Sequence, residues 1–313
     1  MTNAIRTENL TRKFGRTVAI DSLNLAVPEG AIYALVGANG AGKTTVIKVL
    51  MNIFGPTGGR AQVLGIESRR LAGKAFERIG YVSENQEMPD WMTVGAMLDY
   101  FRSFYPQWDR TLEQQLVRQF DLPLNRKLKH LSRGMKMKAA FASSLAYRPS
   151  LIILDEPFSG LDPLVRDELI EGLIERAPET TIFLSSHDLA EIESFSSHVG
   201  YLEQGRLLFS EEMSVLATRF RDVTVTLETP QPLPSDLPST WLQPQLADRV
   251  IHFIHSAYQD QASEIELAIL FPTARDITCD PMPLRQIFLA VAKSGRLRTS
   301  SQQDHINAEG TAA

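Results

Sequence analysis

The sequence Gly37-Ala38-Asn39-Gly40-Ala41-Gly42-Lys43-Thr44-Thr45 determines how the rest of this chain is interpreted. Before it stands the apolar run Ala-Ile-Tyr-Ala-Leu-Val at 31–36, whose length and composition predict a buried strand. After it, Val-Ile-Lys-Val-Leu-Met at 46–51 predicts a helix. The nine residues are therefore predicted to form a glycine-rich turn between a strand and a helix.

The spacing Gly-x-x-x-x-Gly-Lys-Thr between a strand and a helix is that of a P-loop. Glycine lets the backbone curl so that successive N–H groups face one point, and the helix N-terminus adds partial positive charge there. The loop is thus predicted to hold nucleotide phosphates, with Lys43 on the β- and γ-phosphates and the Thr44 hydroxyl on Mg²⁺. An accidental glycine-rich turn is disfavoured because both required flanking elements are present.

Composition limits the class of protein. The chain has 313 residues, 43% of them hydrophobic, so it can form one large domain or a domain with an appendage. Its net charge of −5 offers no basic surface for nucleic acid, and its single cysteine, Cys279, has no partner for an internal disulfide. We expect a cytoplasmic protein without a signal peptide, since no apolar run reaches the roughly 20 residues that span a bilayer.

Two carboxylates follow a second apolar run. Residues 151–154, Leu-Ile-Ile-Leu, suit a central parallel strand, and Asp155 and Glu156 come directly after them. Acids at the carboxyl end of such a strand fall in the ligand crevice of an open α/β sheet. Asp155 can ligate Mg²⁺, and Glu156 can polarise the water that attacks the γ-phosphate. Two merely solvated acids are the less favoured alternative, because a P-loop lies upstream.

Three further residues are ambiguous on local sequence alone. Phe14 can stack on a nucleotide base or belong to the core. Ser132 suits the N-cap of a helix that runs through Ala146, and this ordinary role is favoured. His187 closes the apolar strand predicted over 180–186, where it is either structural or close to the γ-phosphate.

The pattern of strands and helices divides the chain. We expect residues 1–218 to form one α/β domain with a helical subdomain over about 86–148, followed by a small α+β appendage over 219–293. Five prolines indicate a loop-rich connection in the appendage: Pro230, Pro232, Pro234, Pro238 and Pro244. Three strands and one helix are predicted around them: strands at Val223–Leu227, Val250–Ile254 and Ile265–Phe271, and a helix at Leu284–Lys293. The polar residues 294–313 are predicted to be disordered.

Taken together, the motifs over residues 5–218 resemble the ATP-binding subunit of an ABC transporter. Leu131-Ser132-Arg133-Gly134-Met135 resembles the signature segment, which other P-loop ATPases and GTPases lack at that place. Ser159-Gly160-Leu161-Asp162 resembles the D-loop, Ser185-Ser186-His187-Asp188 the switch histidine, and Phe14 the adenine-stacking aromatic. The resemblance implies a P-loop NTPase fold of the ABC ATPase type, with ATP and Mg²⁺ as cofactors.

The resemblance also implies how such a subunit works. Two domains pair head to tail, so that Ser132 and Gly134 of one bind the γ-phosphate held by the partner's Lys43. The D-loop residue Asp162 is assigned to the same nucleotide site. Glu156 activates water and His187 steadies the γ-phosphate. Because the chain holds one set of motifs, the partner is a second copy or a related chain, and an integral membrane permease receives the work.

The sequence departs from the family pattern at three places. Glu84 follows Tyr-Val-Ser at 81–83, where the family's Q-loop has glutamine after Tyr-x-Pro, and Gln86 stands two residues on. We assign the Q-loop role, including a place among the Mg²⁺ ligands, to Glu84 by position and keep Gln86 as the alternative. Arg133 and Met135 stand where glycine and glutamine are common. The appendage is not part of the family's core domain.

Residues 84–94 and 104–109 resemble a bacterial subgroup of the family, which serves exporters with separately encoded permeases, including bacitracin-resistance and acetoin-utilisation-like systems. The resemblance implies a peripheral subunit at the cytoplasmic face of the membrane that powers export. The alternative is a soluble ABC ATPase that remodels a protein complex, as in iron–sulfur assembly. The appendage and the subgroup-like loop favour transport.

Overall fold

A computed structural model describes residues 2–233 and 236–294 of the chain. The chain forms two compact units that divide after Ser210. The division lies eight residues before the boundary expected at 218, because the helix Met213–Arg219 belongs to the second unit. Of the tail predicted to be disordered, Ser294 is helical and residues 295–313 lie outside the described residues.

The first unit contains two sheets and a group of helices. Its strands are β1 (Asn3–Phe14), β2 (Thr17–Leu23), β3 (Ala26–Pro28), β4 (Ile32–Val36), β5 (Gly58–Val63), β6 (Ile66–Glu67), β7 (Ile79–Ser83), β8 (Leu151–Asp155), β9 (Thr181–Ser186), β10 (His198–Glu203) and β11 (Arg206–Glu212), the last of which runs across the division between the units. Its helices are α1 (Lys43–Leu50), α2 (Val94–Arg102), α3 (Arg110–Gln119), α4 (Arg133–Leu145), α5 (Pro163–Ile174) and α6 (Leu189–Ile192).

One sheet is antiparallel, with the order β2-β1-β5-β6 and β3 paired to β1. The other has the order β11-β10-β4-β9-β8-β7, and its strands from β10 to β7 run parallel. Every residue of β4 and β8 is buried, as expected for central strands that are apolar on both faces. Helix α1 shares one hydrophobic cluster with both sheets: Val46, Ile47 and Leu50 with Leu10, Ile20, Leu35 and Ile153.

The register of the parallel sheet brings the predicted site residues to one edge. Asp155 at the end of β8 pairs with Ser185 of β9 and with Ser83 of β7, and Val36 at the end of β4 pairs with Ser186. The chain leaves the four strands β4, β7, β8 and β9 at this edge. Residues 37, 84, 156 and 187 therefore start from neighbouring positions, as the carboxyl ends of parallel strands require.

Helices α2, α3 and α4 lie within residues 86–148, where a helical subdomain is expected, and each begins at a side chain that accepts a main-chain N–H. Thr93 caps α2, Asp109 caps α3 and Ser132 caps α4. The rings of Tyr105 and Tyr147 stack with their centroids 3.8 Å apart. None of the helices in residues 2–233 and 236–294 has the length and apolar character needed to cross a bilayer.

The second unit has its own sheet and core. Its elements after α7 (Met213–Arg219) are β12 (Arg221–Leu227), β13 (Trp241–Ala247), β14 (Val250–His255), α8 (Asp260–Leu270), β15 (Ala274–Pro281) and a helix over residues 284–294. The strands form an antiparallel sheet in the order β13-β14-β12-β15. Val223, Trp241, Phe253 and Leu267 belong to its hydrophobic cluster, in which the rings of Trp241 and Phe253 stack 3.8 Å apart.

The strand predicted at Ile265–Phe271 is wrong, because these residues lie mostly in α8. Within α8 the buried residues are Ser263 and Leu267, four positions apart, as on one face of a helix. A short apolar run does not distinguish a buried strand from a helix. Strands β13 and β15 were not predicted, and both lie at sheet edges, where Pro244 is tolerated within β13.

Candidate nucleotide-binding site

The glycine-rich loop leads from β4 into α1, which begins at Lys43. A Cβ added at Gly37 would lie 2.2 Å from Leu202 O, and one at Gly42 would lie 2.5 Å from Ala19 O, so both positions require glycine. Gly42 also has φ of 111°, in the left-handed region. No side chain caps α1, so its first-turn N–H groups are available to an anion.

Lys43 lies across this loop with its side chain 5% exposed. Its Nζ donates to Gly37 O at 2.6 Å and to Ala38 O at 3.2 Å, and it lies 3.0 Å from Glu156 Oε1. A buried ammonium group needs such partners, because its charge is costly to desolvate. The lysine of the P-loop and the second carboxylate after β8 are thus in direct contact.

Asp155 accepts two hydroxyl hydrogen bonds on one oxygen. Thr44 Oγ1 donates to Asp155 Oδ1 at 3.0 Å, and Ser185 Oγ donates to the same atom at 2.9 Å. Burial raises the pKa of Asp155, while these two hydrogen bonds act in the opposite direction. A threonine hydroxyl and a carboxylate side by side fit Mg²⁺, which takes oxygen ligands and completes its shell with water and substrate phosphates.

The described residues hold no cluster of three or more His, Cys, Asp or Glu side chains suited to a metal ion. A site with one or two carboxylates and a hydroxyl has the composition of a Mg²⁺ site that depends on bound nucleotide phosphates. The donors around Asp155 therefore fit an ion that arrives with its nucleotide rather than one held by the protein alone.

Glu156 and His187 form the next contact. His187 Nδ1 lies 2.7 Å from Glu156 Oε2, and this hydrogen bond raises the pKa of His187. Glu156 has φ of 51°, a left-handed conformation that glutamate rarely adopts, and its N–H donates to Ser185 Oγ at 2.9 Å. The structure thus holds the predicted base and the predicted switch histidine together.

Glu84 and Gln86 both border a cavity of 270 Å³ that Thr44, Asp155 and Glu156 also line. The Glu84 N–H donates to Asp155 O at 2.9 Å. Glu84 Oε1 accepts from the Arg133 guanidinium and from Ser159 Oγ, whereas Gln86 Oε1 is buried and has no hydrogen-bond partner in the part of the chain that the structure describes. Both candidates for the Q-loop role are therefore next to the acidic edge of the sheet.

Phe14 is a surface residue rather than a core residue, with 40% of its side chain exposed. Its ring meets the Phe54 ring edge-on, with centroids 5.3 Å apart, and the Arg12 guanidinium lies 4.4 Å above its centroid. A partly exposed ring is consistent with base stacking, although one face carries a cation in this structure.

Ser132 and Gly134 lie at the start of α4, and Asp162 lies at the start of α5. Ser132 Oγ accepts from Met135 N at 3.2 Å and Asp162 Oδ1 accepts from Val165 N at 3.1 Å, so both are helix N-caps. A Cβ on Gly134 would lie 3.0 Å from the Val165 side chain. Within residues 2–233 and 236–294, no hydrogen bond or ion pair joins Ser132 or Asp162 to residues 37–45.

Two residues with clear contacts at the site were not identified as site residues from the sequence. Ser185 contacts both Asp155 and Glu156, and its only sequence signal is a hydroxyl at the end of a strand that pairs with β8. Arg133 was noticed only as a departure from glycine. Its contact partner Glu84 is 49 residues away in the sequence, and a local sequence pattern does not reveal a contact over that separation.

Comparison with known proteins agrees with this geometry. Residues 20–159 match the family described as "ABC transporter". The bacitracin transport ATP-binding protein BcrA of Enterococcus faecalis is 32% identical over 228 residues, which are 72% of this chain and 74% of that protein. A solved ATP-binding subunit of an ABC transporter is 26% identical, with a TM-score of 0.63, over 69% of this chain and 92% of that one.

A second solved structure, a dimeric ATP-binding cassette in a post-hydrolysis state bound to ADP and Pi, is 22% identical with a TM-score of 0.59 over 67% of this chain and 98% of that one. The predicted ABC-type P-loop NTPase fold and the predicted ATPase activity of a transporter subunit are confirmed by these similarities. This chain belongs to the family of ABC transporter ATP-binding proteins.

Proposed function

We propose that the residues gathered at the edge of the parallel sheet form the ATP hydrolysis site of this transporter subunit. The observation that carries the proposal is one continuous network beside the uncapped start of α1. Thr44, Asp155 and Ser185 form one part of it, and Lys43, Glu156 and His187 form the other. It combines the donors, acceptors and candidate base that phosphoryl transfer to water needs.

The loop residues 37–45 hold the ATP phosphates through main-chain N–H groups, and Lys43 contacts the β- and γ-phosphates. Lys43 Nζ already lies at the loop with two carbonyl contacts, so it can exchange them for phosphate oxygens. Thr44, Asp155 and Glu84 hold Mg²⁺, with Gln86 as the alternative to Glu84. The ion neutralises phosphate charge when bound.

Glu156 accepts the proton of the attacking water, and His187 steadies the γ-phosphate. The hydrogen bond between them fixes the imidazole relative to the carboxylate. The ion pair with Lys43 keeps Glu156 at the phosphate end of the loop. Phe14 stacks on the adenine, and the 40% exposure of its side chain supports this role.

Ser132, Gly134 and Asp162 contribute to the nucleotide held by a partner subunit, which is a second copy of this chain or a related one. This assignment is supported by the contacts of Ser132 and Asp162, which within residues 2–233 and 236–294 include no hydrogen bond or ion pair to residues 37–45. The dimeric structure of the similar cassette bound to ADP and Pi is in keeping with it.

The chain powers export through an integral membrane permease and binds at the cytoplasmic face of the membrane. The relative from Enterococcus faecalis is named for bacitracin transport, which supports a role in moving compounds across a membrane. A soluble ATPase that remodels protein complexes is not favoured by these similarities. With a net charge of −5, nucleic acid is not an expected partner.

The substitution Glu156→Gln tests the hydrolysis site. We expect ATP turnover to fall by about 10²–10⁴-fold while ATP still binds, because an amide cannot accept the proton of water. Titration calorimetry and phosphate release measure the two effects. Glu171→Gln on the exposed side of α5 is the matched control. Normal turnover in Glu156→Gln would overturn the assignment.

The permease assignment has a separate test. The chain, expressed at its natural level and extracted in mild detergent, is expected to co-purify with a protein that has several membrane spans. Recovery only in a complex free of membrane proteins would contradict a role in transport.

A further inference from the structure

Arg133 joins the start of α4 to the nucleotide cavity of the same chain. It is the first residue of α4, directly after the capping Ser132. Its Nη2 donates to Glu84 Oε1, and the two side chains form an ion pair, with 47% of Arg133 and 26% of Glu84 exposed. The contact thus connects the signature segment with the residue placed in the Q-loop.

Two segments, the start of α4 and the turn after β8, converge on that one carboxylate oxygen. Ser159 Oγ, in the turn after β8, also donates to Glu84 Oε1, at 3.1 Å. Gly160 has φ of 64°, and a Cβ there would lie 2.9 Å from Arg133 Nη1. The guanidinium therefore lies directly beside the Gly160 turn as well as beside Glu84.

The same carboxylate borders the acidic part of the cavity. Glu84 lines it with Thr44, Asp155 and Glu156. A divalent cation bound by the Glu84 carboxylate would lie close to the Arg133 guanidinium, and their like charges repel at this range. Whatever brings a divalent cation to Glu84 must therefore displace Arg133 or weaken its contact.

We propose, on the basis of the function proposed above, that Arg133 is a positioning residue that competes with the divalent cation for Glu84. In the chain alone Arg133 holds Glu84 against Ser159. Once the cation that accompanies ATP takes Glu84, the guanidinium is released beside Ser132, where it adds positive charge to the end of α4 that faces the partner's nucleotide. Loading of one site with metal thereby prepares the signature segment for the neighbouring site.

The experiment compares the affinity for the non-hydrolysable ATP analogue AMP-PNP with and without Mn²⁺, measured by titration calorimetry. The dissociation constant without Mn²⁺ divided by the dissociation constant with Mn²⁺ reports the protein's contacts to the metal. In Arg133→Ala we expect that ratio to rise about fivefold, because a half-exposed competing ion pair has been removed. Arg126→Ala removes an exposed charge near α3 that forms no ion pair with another described residue, and should leave the ratio unchanged.

A double-substitution cycle separates competition from general electrostatics. In the Glu84→Gln background, Arg133→Ala should have little effect on the ratio, because the carboxylate for which the two cations compete is gone. An unchanged or lowered ratio in Arg133→Ala, or an equal rise in both backgrounds, would overturn the competition. Arg133→Lys, which keeps the charge, should give a ratio between those of the wild type and the alanine variant.

The two proposals fail in different ways. If the wild-type chain binds AMP-PNP weakly both with and without Mn²⁺, and Lys43→Ala changes nothing, the proposed nucleotide site is wrong and the competition with it. If the wild type binds normally and only the Arg133 series shows no change, the nucleotide site stands and the role of Arg133 is wrong.

Discussion

Two helix N-termini of the first unit have different surroundings. The start of α1 has no side-chain cap, and Lys43, Thr44, Asp155 and Glu156 surround it with contacts inside the same chain. The start of α4 is capped by Ser132, and its charged contacts run through Arg133 to Glu84 and through Lys136 to Asp90. The difference supports the proposal of a nearly complete phosphate site at α1 and a half-site at α4.

The strongest test of this difference is Lys43→Ala. Because Lys43 is the buried cation of the α1 site, we expect a loss of at least about a hundredfold in ATP turnover, together with weaker ATP binding. Phosphate release and titration calorimetry measure both. Lys74→Ala, at an exposed lysine of the same unit, is the control and should leave both unchanged. Unaltered ATP affinity in Lys43→Ala would contradict the site.

Ser132→Ala tests the half-site at α4. We expect ATP-dependent dimerisation, measured by analytical ultracentrifugation, to weaken about tenfold, or about 1.4 kcal/mol, with ATP binding to the single chain unaffected. Thr93→Ala is the matched control, because Thr93 caps α2 in the same way and is not assigned to a nucleotide. Equal effects of both substitutions would show that Ser132 acts only as a cap.

Ser185→Ala tests the hydrogen bonds that Ser185 makes with Asp155 and Glu156 at the α1 site. The substitution removes a donor to Asp155 and an acceptor for the Glu156 N–H, both in a buried setting. We expect a loss of about 1–3 kcal/mol in the free energy of unfolding, measured with urea. Ser103→Ala, an exposed serine with only a local hydrogen bond, should change it by less. If the Ser185→Ala protein is as stable as the wild type, the hydrogen bonds of Ser185 do not stabilise the fold.

The smallest expected effect concerns the titration of His187. The hydrogen bond that His187 donates to Glu156 raises the pKa of His187, so Glu156→Gln should lower this pKa, which NMR can follow. Since the folded-state pKa is raised, the contribution of this pair to stability is fully present below about pH 6.5. It is lost as the pH rises through the pKa of folded His187. A pKa of His187 that does not change in Glu156→Gln would show that the contact is unimportant in solution.

The comparison also shows which features a sequence can reveal. The α1 site was predictable because its loop, β4 and β8 are continuous stretches whose residue types follow directly from phosphate binding and burial. The network around it was less so. Ser185 and Arg133 act through contacts with residues that are distant in the chain. No local sequence pattern shows which residue a hydroxyl or a guanidinium will contact.

The second unit was harder to predict for a different reason. Its strands β13 and β15 lie at sheet edges, where alternation is weak and a proline can stand, and α8 carries an apolar run short enough to suit either element. Only the central strands β12 and β14 show the strong apolar pattern of a buried sheet, and these were predicted.

The left-handed backbone conformation at Glu156 has a consequence for the balance between stability and activity. A non-glycine residue with φ of 51° sits in a conformation that costs of order 1 kcal/mol or more. Glycine or asparagine would adopt this conformation at a lower cost in stability. The conformation of Glu156 therefore lowers the free energy of unfolding at the position where the chemistry is proposed. Substitutions at position 156 that raise the free energy of unfolding are expected to lower ATP turnover.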